Sequence, residues 1–238
     1  MMLKVMTFNI QHALDYQKQV IDFDLFVNAI KKYDADICGL NEVRGAGPVE
    51  GYTDQTSAIA DGLGFNGYFG EAIKVQGTSP YGNAVVSKLP FKSAEAIAIP
   101  DPKSKKGKYS FESRCIIKAV LNFEGKDICF LICHMGLNKS EQKNAVKAIC
   151  DLLDEIKMPV ILMGDFNTTP NDKVLNPIRR LMKDTDEFNS VKNMGTYPSD
   201  KPEKKIDYIF YRDLKCVKTE TIEEIYSDHL PIIAEFEI

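Results

Sequence analysis

Short apolar runs of strand length recur along the 238-residue chain and limit what it can fold into: Lys4 to Phe8, Ile37 to Leu40, Ala84 to Val86, Ile116 to Leu121, Ile128 to Cys133, Val160 to Met163, Ile206 to Tyr211 and Ile232 to Phe236. Each is bounded by polar or turn residues, as strands are. Between Glu141 and Lys157, Val146, Ile149, Cys150, Leu153 and Ile156 recur at steps of three and four and form one apolar stripe, which predicts a surface helix. Leu25, Phe26, Ala29 and Ile30 predict a second helix, and Ala58, Ile59 and Leu63 a shorter third. Helices alternate with strands at the start and again around Glu141 to Met163, while Gly67 to Cys133 reads as consecutive strands, so mixed sheets in an α/β (α+β) fold are expected. Pro100 to Ser110, with Lys103, Lys105, Lys106 and Lys108, and Met194 to Lys205, with Pro198 and Pro202, read as long loops. No composition break marks a linker, and residues 1–238 are read as one domain.

Composition excludes several classes. With 30 basic and 34 acidic side chains the net charge is −4, which is not that of a strongly basic nucleic-acid clamp. The longest apolar run, Ile128 to Cys133, falls far short of the roughly 20 residues that span a bilayer, so no membrane segment is expected. Lys4 and Asn9 interrupt the N-terminal apolar residues before a signal-peptide core can form, and a cytoplasmic monomer is the expectation. Cys38, Cys115, Cys129, Cys133, Cys150 and Cys216 lie mostly within apolar runs and lack CxxC spacing, as small buried hydrophobes do, which argues against disulfides or a zinc ribbon.

The chemistry gathers where the runs end. Lys4 to Phe8 leads into Asn9, Ile37 to Leu40 into Asn41 and Glu42, Phe130 to Cys133 into His134, and Val160 to Met163 through Gly164 into Asp165 and Asn167. Strand ends on one edge of an α/β layer converge in space, where such folds place their sites. Singly, each residue has an ordinary reading: Asn9 as a turn or cap, Glu42 as surface, His134 as a buried hydrogen-bonded histidine, and Gly164 to Asn167 as a turn. If extended geometry continues past Met163, Asp165 and Asn167 project to one side and Phe166 to the other. Ser227, Asp228 and His229 precede the last run and repeat the arrangement. Asp207, inside an apolar run, is costly to bury without a partner, and the candidates are His12, His134 and His229.

Other chemistries fit poorly. Gly62, Gly64 and Gly67 match GxGxxG, but they follow a helical pattern and precede a strand, the reverse of the dinucleotide context. No phosphate-loop, GxSxG or HExxH pattern occurs. Glu42, Asp165, Asp207 and Asp228 with Asn9 and Asn167 form an oxygen-rich set that favours Mg²⁺ or Mn²⁺ over zinc.

In order along nearly the whole chain, Asn9 after the first strand, NEV with Glu42, YGNAVVS at Tyr81 to Ser87, CHMGLN at Cys133 to Asn138, GDFN, TYPS, KIDYIF and SDH resemble the endonuclease/exonuclease/phosphatase superfamily. The resemblance implies a four-layer sandwich, two mixed sheets face to face with helices outside, and metal-dependent cleavage of phosphate esters. It implies that Glu42 is the principal Mg²⁺ (or Mn²⁺) ligand with Asn9 beside it and Asp228 assisting. Asp165 would orient or deprotonate the attacking water, Asn167 position that water or a phosphate oxygen, and His229, held by Asp207, stabilise the pentavalent phosphorus. His134 resembles a histidine that some branches use to stabilise phosphate or protonate the leaving group. Arg114 in FESR and Asn83 resemble phosphate-contacting, substrate-binding positions.

The shared site implies a phosphodiesterase or phosphatase but not a particular ester. A DNA or RNA nuclease is the runner-up, because the only obvious basic cluster, Lys103 to Lys108, is small and clustered cations are what a phosphate backbone requires. A non-catalytic binding module on the same fold is the reading from another class. The presence of Glu42, Asp165 and His229 weighs against it.

Overall fold

The computed structural model describes residues 1–105 and 107–238. Lys106, one of the loop lysines noted above, lies outside the described residues. In chain order the strands are β1 (Met2–Asn9), β2 (Leu14–Asp15), β3 (Val20–Ile21), β4 (Ile37–Arg44), β5 (Asn66–Val75), β6 (Ser79–Ser87), β7 (Phe91–Ile99), β8 (Arg114–Phe123), β9 (Lys126–His134), β10 (Val160–Asp165), β11 (Lys183–Asp184), β12 (Asp207–Arg212), β13 (Lys215–Thr221) and β14 (Ile232–Glu237). The helices are α1 (Phe23–Tyr33), α2 (Gln55–Leu63), α3 (Lys139–Glu155) and α4 (Asn176–Leu181).

The strands form two six-stranded mixed sheets, β13-β14-β1-β4-β6-β5 and β11-β12-β10-β9-β8-β7. Each sheet has one parallel pair at its centre, β1 with β4 and β9 with β10, and the remaining neighbours are antiparallel. Period-two alternation sends successive side chains to opposite faces. In β1, Val5 enters the core between the sheets while Met6 packs under the helices; in β10, Ile161 and Leu162 divide in the same way. The inter-sheet core holds Ile37, Ile117, Phe130, Ile132, Met163, Ile209 and Phe236. Phe26, Ile30 and Ile59 of α1 and α2 cover one outer face, and Val146, Ile149, Leu153 and Ile178 of α3 and α4 cover the other. Four layers result. Because both faces of the central strands are covered, their sequences read as unbroken apolar runs.

The helices start where the sequence supplies caps. Asp22 accepts from Leu25 N at 3.0 Å, Asp54 from Ser57 N at 3.0 Å, and Glu141 reaches back to Asn138 N at 3.1 Å. The GxGxxG residues close a helix and open a strand. Gly62 lies in α2, Gly64 takes the left-handed cap (φ 71°), and Gly67 lies in β5. All six cysteines are free, five of them buried. No helix among the described residues is long and apolar enough to cross a membrane.

Candidate active site

The two parallel pairs explain why chemically useful residues meet. The C-terminal ends of β1, β4, β9 and β10 lie at one edge of the sandwich, where Asn9 pairs with Asn41 and His134 with Asp165. The antiparallel strands β12 and β14 begin at that same edge, so Asp207 lies beside Asp165 and His229 enters just before β14. A cleft of about 880 Å³ opens there, lined by Glu42, Asp165, Asn167, His134, Asp228 and His229 among others.

Asp165 is at the floor. Its N–H donates to Asn41 Oδ1 at 2.9 Å, and its Oδ1 accepts from Asn167 N at 2.8 Å. Its Oδ2 lies 3.3 Å from Asn9 Nδ2, 3.5 Å from His134 Nε2 and 3.8 Å from His229 Nε2. Burial pushes the carboxyl above its ordinary value and the charges of Asp207 and Glu42 push it further, against the opposing effects of His229 and the Asn167 N–H. Extended geometry does not continue beyond β10, contrary to the sequence expectation. Asn167 is left-handed (φ 48°), and it folds back over Asp165 while Phe166 enters the core against Tyr208 and Phe210.

His229 Nδ1 stands 2.9 Å from Asp207 Oδ2, which settles the partner of Asp207 among the three histidines. Burial works to lower its basicity, but Asp207 and Asp165 outweigh burial and hold the ring well above its ordinary value, as an imidazolium at neutral pH. Tyr197 packs its ring 4.9 Å from that of His229. His134 is the opposite case. Burial, Arg114 and His229 lower its basicity and favour the neutral ring, which accepts at only one of its two nitrogens; Arg114 Nη1 lies 3.4 Å from Nδ1 and Asn167 Nδ2 3.1 Å from Nε2.

Glu42 reaches the cleft through a β-bulge. In the β4–β6 ladder Asn41 pairs with Asn83 and Val43 with Gly82, so Glu42 is the extra residue, with φ 61°. Its carboxylate accepts from Asn9 Nδ2 at 3.1 Å and from Tyr81 OH at 2.9 Å. Asn9 therefore presents its NH₂ group to Glu42 and Asp165 and uses its oxygen to accept from Gln11 N at 3.1 Å. In this arrangement Asn9 is a donor to two carboxylates. Asn83 is likewise beneath the cleft, not lining it: Nδ2 donates to Cys115 O at 3.1 Å and Oδ1 accepts from Asn41 Nδ2 at 2.9 Å. Arg114 does line the cleft, paired with Glu112 at 3.0 Å.

The donor set fits a hard divalent cation. Glu42 and Asp228 are half-buried carboxylates on the cleft wall; burial raises the Asp228 carboxyl, His229 opposes this, and Glu42 raises it further. Four carboxylates, Glu42, Asp165, Asp207 and Asp228, thus gather around one imidazolium, an imbalance that a bound divalent cation would offset. Asp165, Asp207 and His229 also lie close enough together to ligate an ion, with the His229 ring between the two carboxylates.

The sequence marks Asn41 only as a strand-end residue and His12 only as a candidate partner of Asp207, and it does not mark Tyr81, Tyr197 or Arg44 as site residues. Tyr81 and Tyr197 stand inside the quoted YGN and TYPS segments. His12 lies in an unusual turn: Gln11, His12 and Ala13 have φ 44°, 50° and 61° in succession. Left-handed geometry costs a non-glycine residue about 1–2 kcal/mol, and such strain gathers at functional sites.

The Endonuclease/Exonuclease/phosphatase family model matches residues 6–229, and the chain belongs to that family. Solved structures share the fold. An endonuclease/exonuclease/phosphatase family protein from Leptotrichia buccalis is 22% identical, with 99% of this chain and 100% of that one covered and a TM-score of 0.80. One from Beutenbergia cavernae is also 22% identical, covering 100% and 72%, with a TM-score of 0.84. ANGEL2, described as a 2',3'-cyclic phosphatase, is 17% identical, covering 99% and 95%, with a TM-score of 0.75. No curated protein matches the chain in sequence.

Proposed function

We propose that this chain is a Mg²⁺- or Mn²⁺-dependent phosphoric ester hydrolase that cleaves a phosphodiester or phosphomonoester by in-line attack of water activated by Asp165. The observation that carries the reading is the buried Asp207–His229 pair directed at Asp165, 3.8 Å from its carboxylate, beside the Glu42 and Asp228 wall.

Glu42 and Asp228 would hold the cation, with Asn9 and Tyr81 fixing the Glu42 carboxylate, and when bound it would supply Lewis acidity and charge compensation at the phosphate. Asp165 takes the water proton, and its raised proton affinity suits a base working near neutrality. Asn167 locks the Asp165 carboxylate through its N–H and places its amide at the mouth of the site. His229 donates from Nε2 to the phosphate oxygens that gain charge in the transition state, and Asp207 fixes the ring's orientation by accepting from Nδ1. His134, neutral, orients Asn167 and lies against the phosphate; a proton for the leaving group does not come from it. Arg114 meets the substrate phosphate from the side of β8. No covalent intermediate is needed.

A non-catalytic module has no use for a buried imidazolium between two carboxylates, which costs desolvation unless it is functional. Hydrolysis of bis-p-nitrophenyl phosphate with Mg²⁺ or Mn²⁺, with and without chelator, tests the proposal. Metal-dependent release of nitrophenolate is expected. Chelator-insensitive turnover, or none with either metal on this ester and on p-nitrophenyl phosphate, overturns it.

A further inference from the structure

Besides His229, two arginines and two lysines line the cleft: Arg44, Arg114, Lys139 and Lys204. Arg114 is neutralised by Glu112 and Lys139 by Asp172, while Lys204 is exposed. Arg44 differs from all of them. It is half-buried, and no carboxylate lies within ion-pair distance of it among the described residues. Its Nε, like that of Arg114, is fully buried without a partner, and with no carboxylate beside it Nη1 reaches only the Gly51 carbonyl at 3.3 Å. The guanidinium lies over the Tyr52 ring, 4.9 Å from the centroid. A guanidinium carries five donors in a planar fork suited to two oxygens of one anion, and leaving them unmet away from water is costly.

Arg44 is held in place by a dedicated contact. Gln55, wholly buried at the start of α2, accepts from Arg44 N at 2.9 Å and donates to the His12 carbonyl at 2.8 Å. It thereby ties the strained Gln11–Ala13 turn to the end of β4. Arg44 follows Glu42 by two residues, just past the bulge, and both side chains line the same cleft. His12 shares that wall.

We propose that Arg44, backed by Tyr52 and flanked by His12, is a subsite for a second phosphate group of the substrate, distinct from the ester that is cleaved. The inference rests on the hydrolase reading and narrows its substrate class to esters bearing two phosphates. The second phosphate belongs either to the next linkage of a nucleic-acid strand or to a phosphomonoester on a small molecule. Arg44 touches that phosphate and not the reacting atoms.

A matched pair of chromogenic esters provides the test: thymidine 5'-(p-nitrophenyl phosphate) with and without a 3'-phosphate. The wild type is expected to favour the doubly phosphorylated ester. Arg44→Ala lowers the ratio of the two kcat/KM values about 10- to 100-fold, the scale of one lost charge-assisted contact, and Arg44→Lys restores part of it. Competition by thymidine 3',5'-bisphosphate against competition by a short oligothymidylate identifies the source, since the natural type inhibits at the lower concentration and loses more in Arg44→Ala. A ratio within about twofold of the wild type in Arg44→Ala, or losses equal for both esters with a lowered Tm, makes Arg44 a structural residue and overturns the subsite. If the wild type cleaves neither ester, the hydrolase reading falls separately. The subsite is then judged by thermal shift with thymidine 3',5'-bisphosphate, where a shift equal in wild type and Arg44→Ala overturns it.

Discussion

Asp165 is constrained from every side: Asn41 takes its N–H, Asn167 holds one oxygen, and Asn9, His134 and His229 surround the other. Its charge is nonetheless unfavourable in this setting, because burial and the neighbouring Asp207 and Glu42 all oppose ionisation. Asp165→Asn is therefore expected to separate activity from stability. kcat falls about 10²- to 10⁴-fold with loss of the general base, while Tm in metal-free buffer stays level or rises as the repulsion is removed. A variant that unfolds, or that retains wild-type turnover, contradicts the assignment. His229 is tested through Asp207. In Asp207→Asn the imidazole loses the carboxylate that raises its proton affinity, so the His229 titration seen by NMR shifts downward and kcat falls. The sign for stability follows: a folded value above the unfolded 6.5 stabilises fully below that value and is lost as pH rises through the folded one. An unchanged His229 titration in Asp207→Asn sinks the pairing.

At the scale of elements, β10 is built so that its end can approach β9. Gly164 has φ 144°, and a Cβ there meets Cys133 O at 1.8 Å. Gly164→Ala is expected to cost about 3 kcal/mol or more, from backbone strain and overpacking together, and to disorder Asp165 with it; urea unfolding measures the loss, and a change under about 1 kcal/mol refutes the account. The segment carrying Asp228 and His229 is tied to α1, since Glu224 accepts from Lys32 at 2.5 Å, from Tyr33 at 2.8 Å and from Tyr226. These donors, Lys32 foremost, pull the Glu224 carboxyl down from 4.5 to about 2. The stabilisation is present above the unfolded value and is lost as pH falls from 4.5 through about 2. The Tm deficit of Glu224→Gln should accordingly shrink as pH drops through that window, and a deficit independent of pH rules the clamp out. The eight apolar runs became central strands, yet β5, β7, β11 and β13 were not delimited by any run, and these four are the sheet edges. Edge strands carry charge and polarity that discourage further pairing, which erases the apolar signature. Asn167 was legible as a neighbour of Asp165, but its left-handed turn was not, and the Glu42 bulge shows only against its partner strand.

For the whole molecule, convergence at one edge was legible because each segment ended in a polar side chain. What remained hidden depends on contact between the sheets. Asn41 of one sheet bonds Asp165 N and Cys133 O of the other, a role that no spacing within NEV reveals. The net charge of −4 has a local counterpart in the carboxylates of Glu42, Asp165 and Asp228: burial, and then neighbouring carboxylates with Glu42 among them, raise the proton affinity of Asp165 and Asp228. A ligand that binds only the folded state stabilises it by about 2.7 kcal/mol at a hundredfold excess over Kd. A chain of this size gains roughly 2–4 °C per kcal/mol, so Mg²⁺ or Mn²⁺ at that excess should raise Tm by about 5–10 °C. Glu42→Gln removes one ligand and part of the repulsion together. The variant is expected to start at or above the wild-type Tm in chelator and to lose most of the metal-induced rise. A rise that survives intact in Glu42→Gln would move the cation to another set of donors, and Asp165, Asp207 and His229 are the group close enough to hold it.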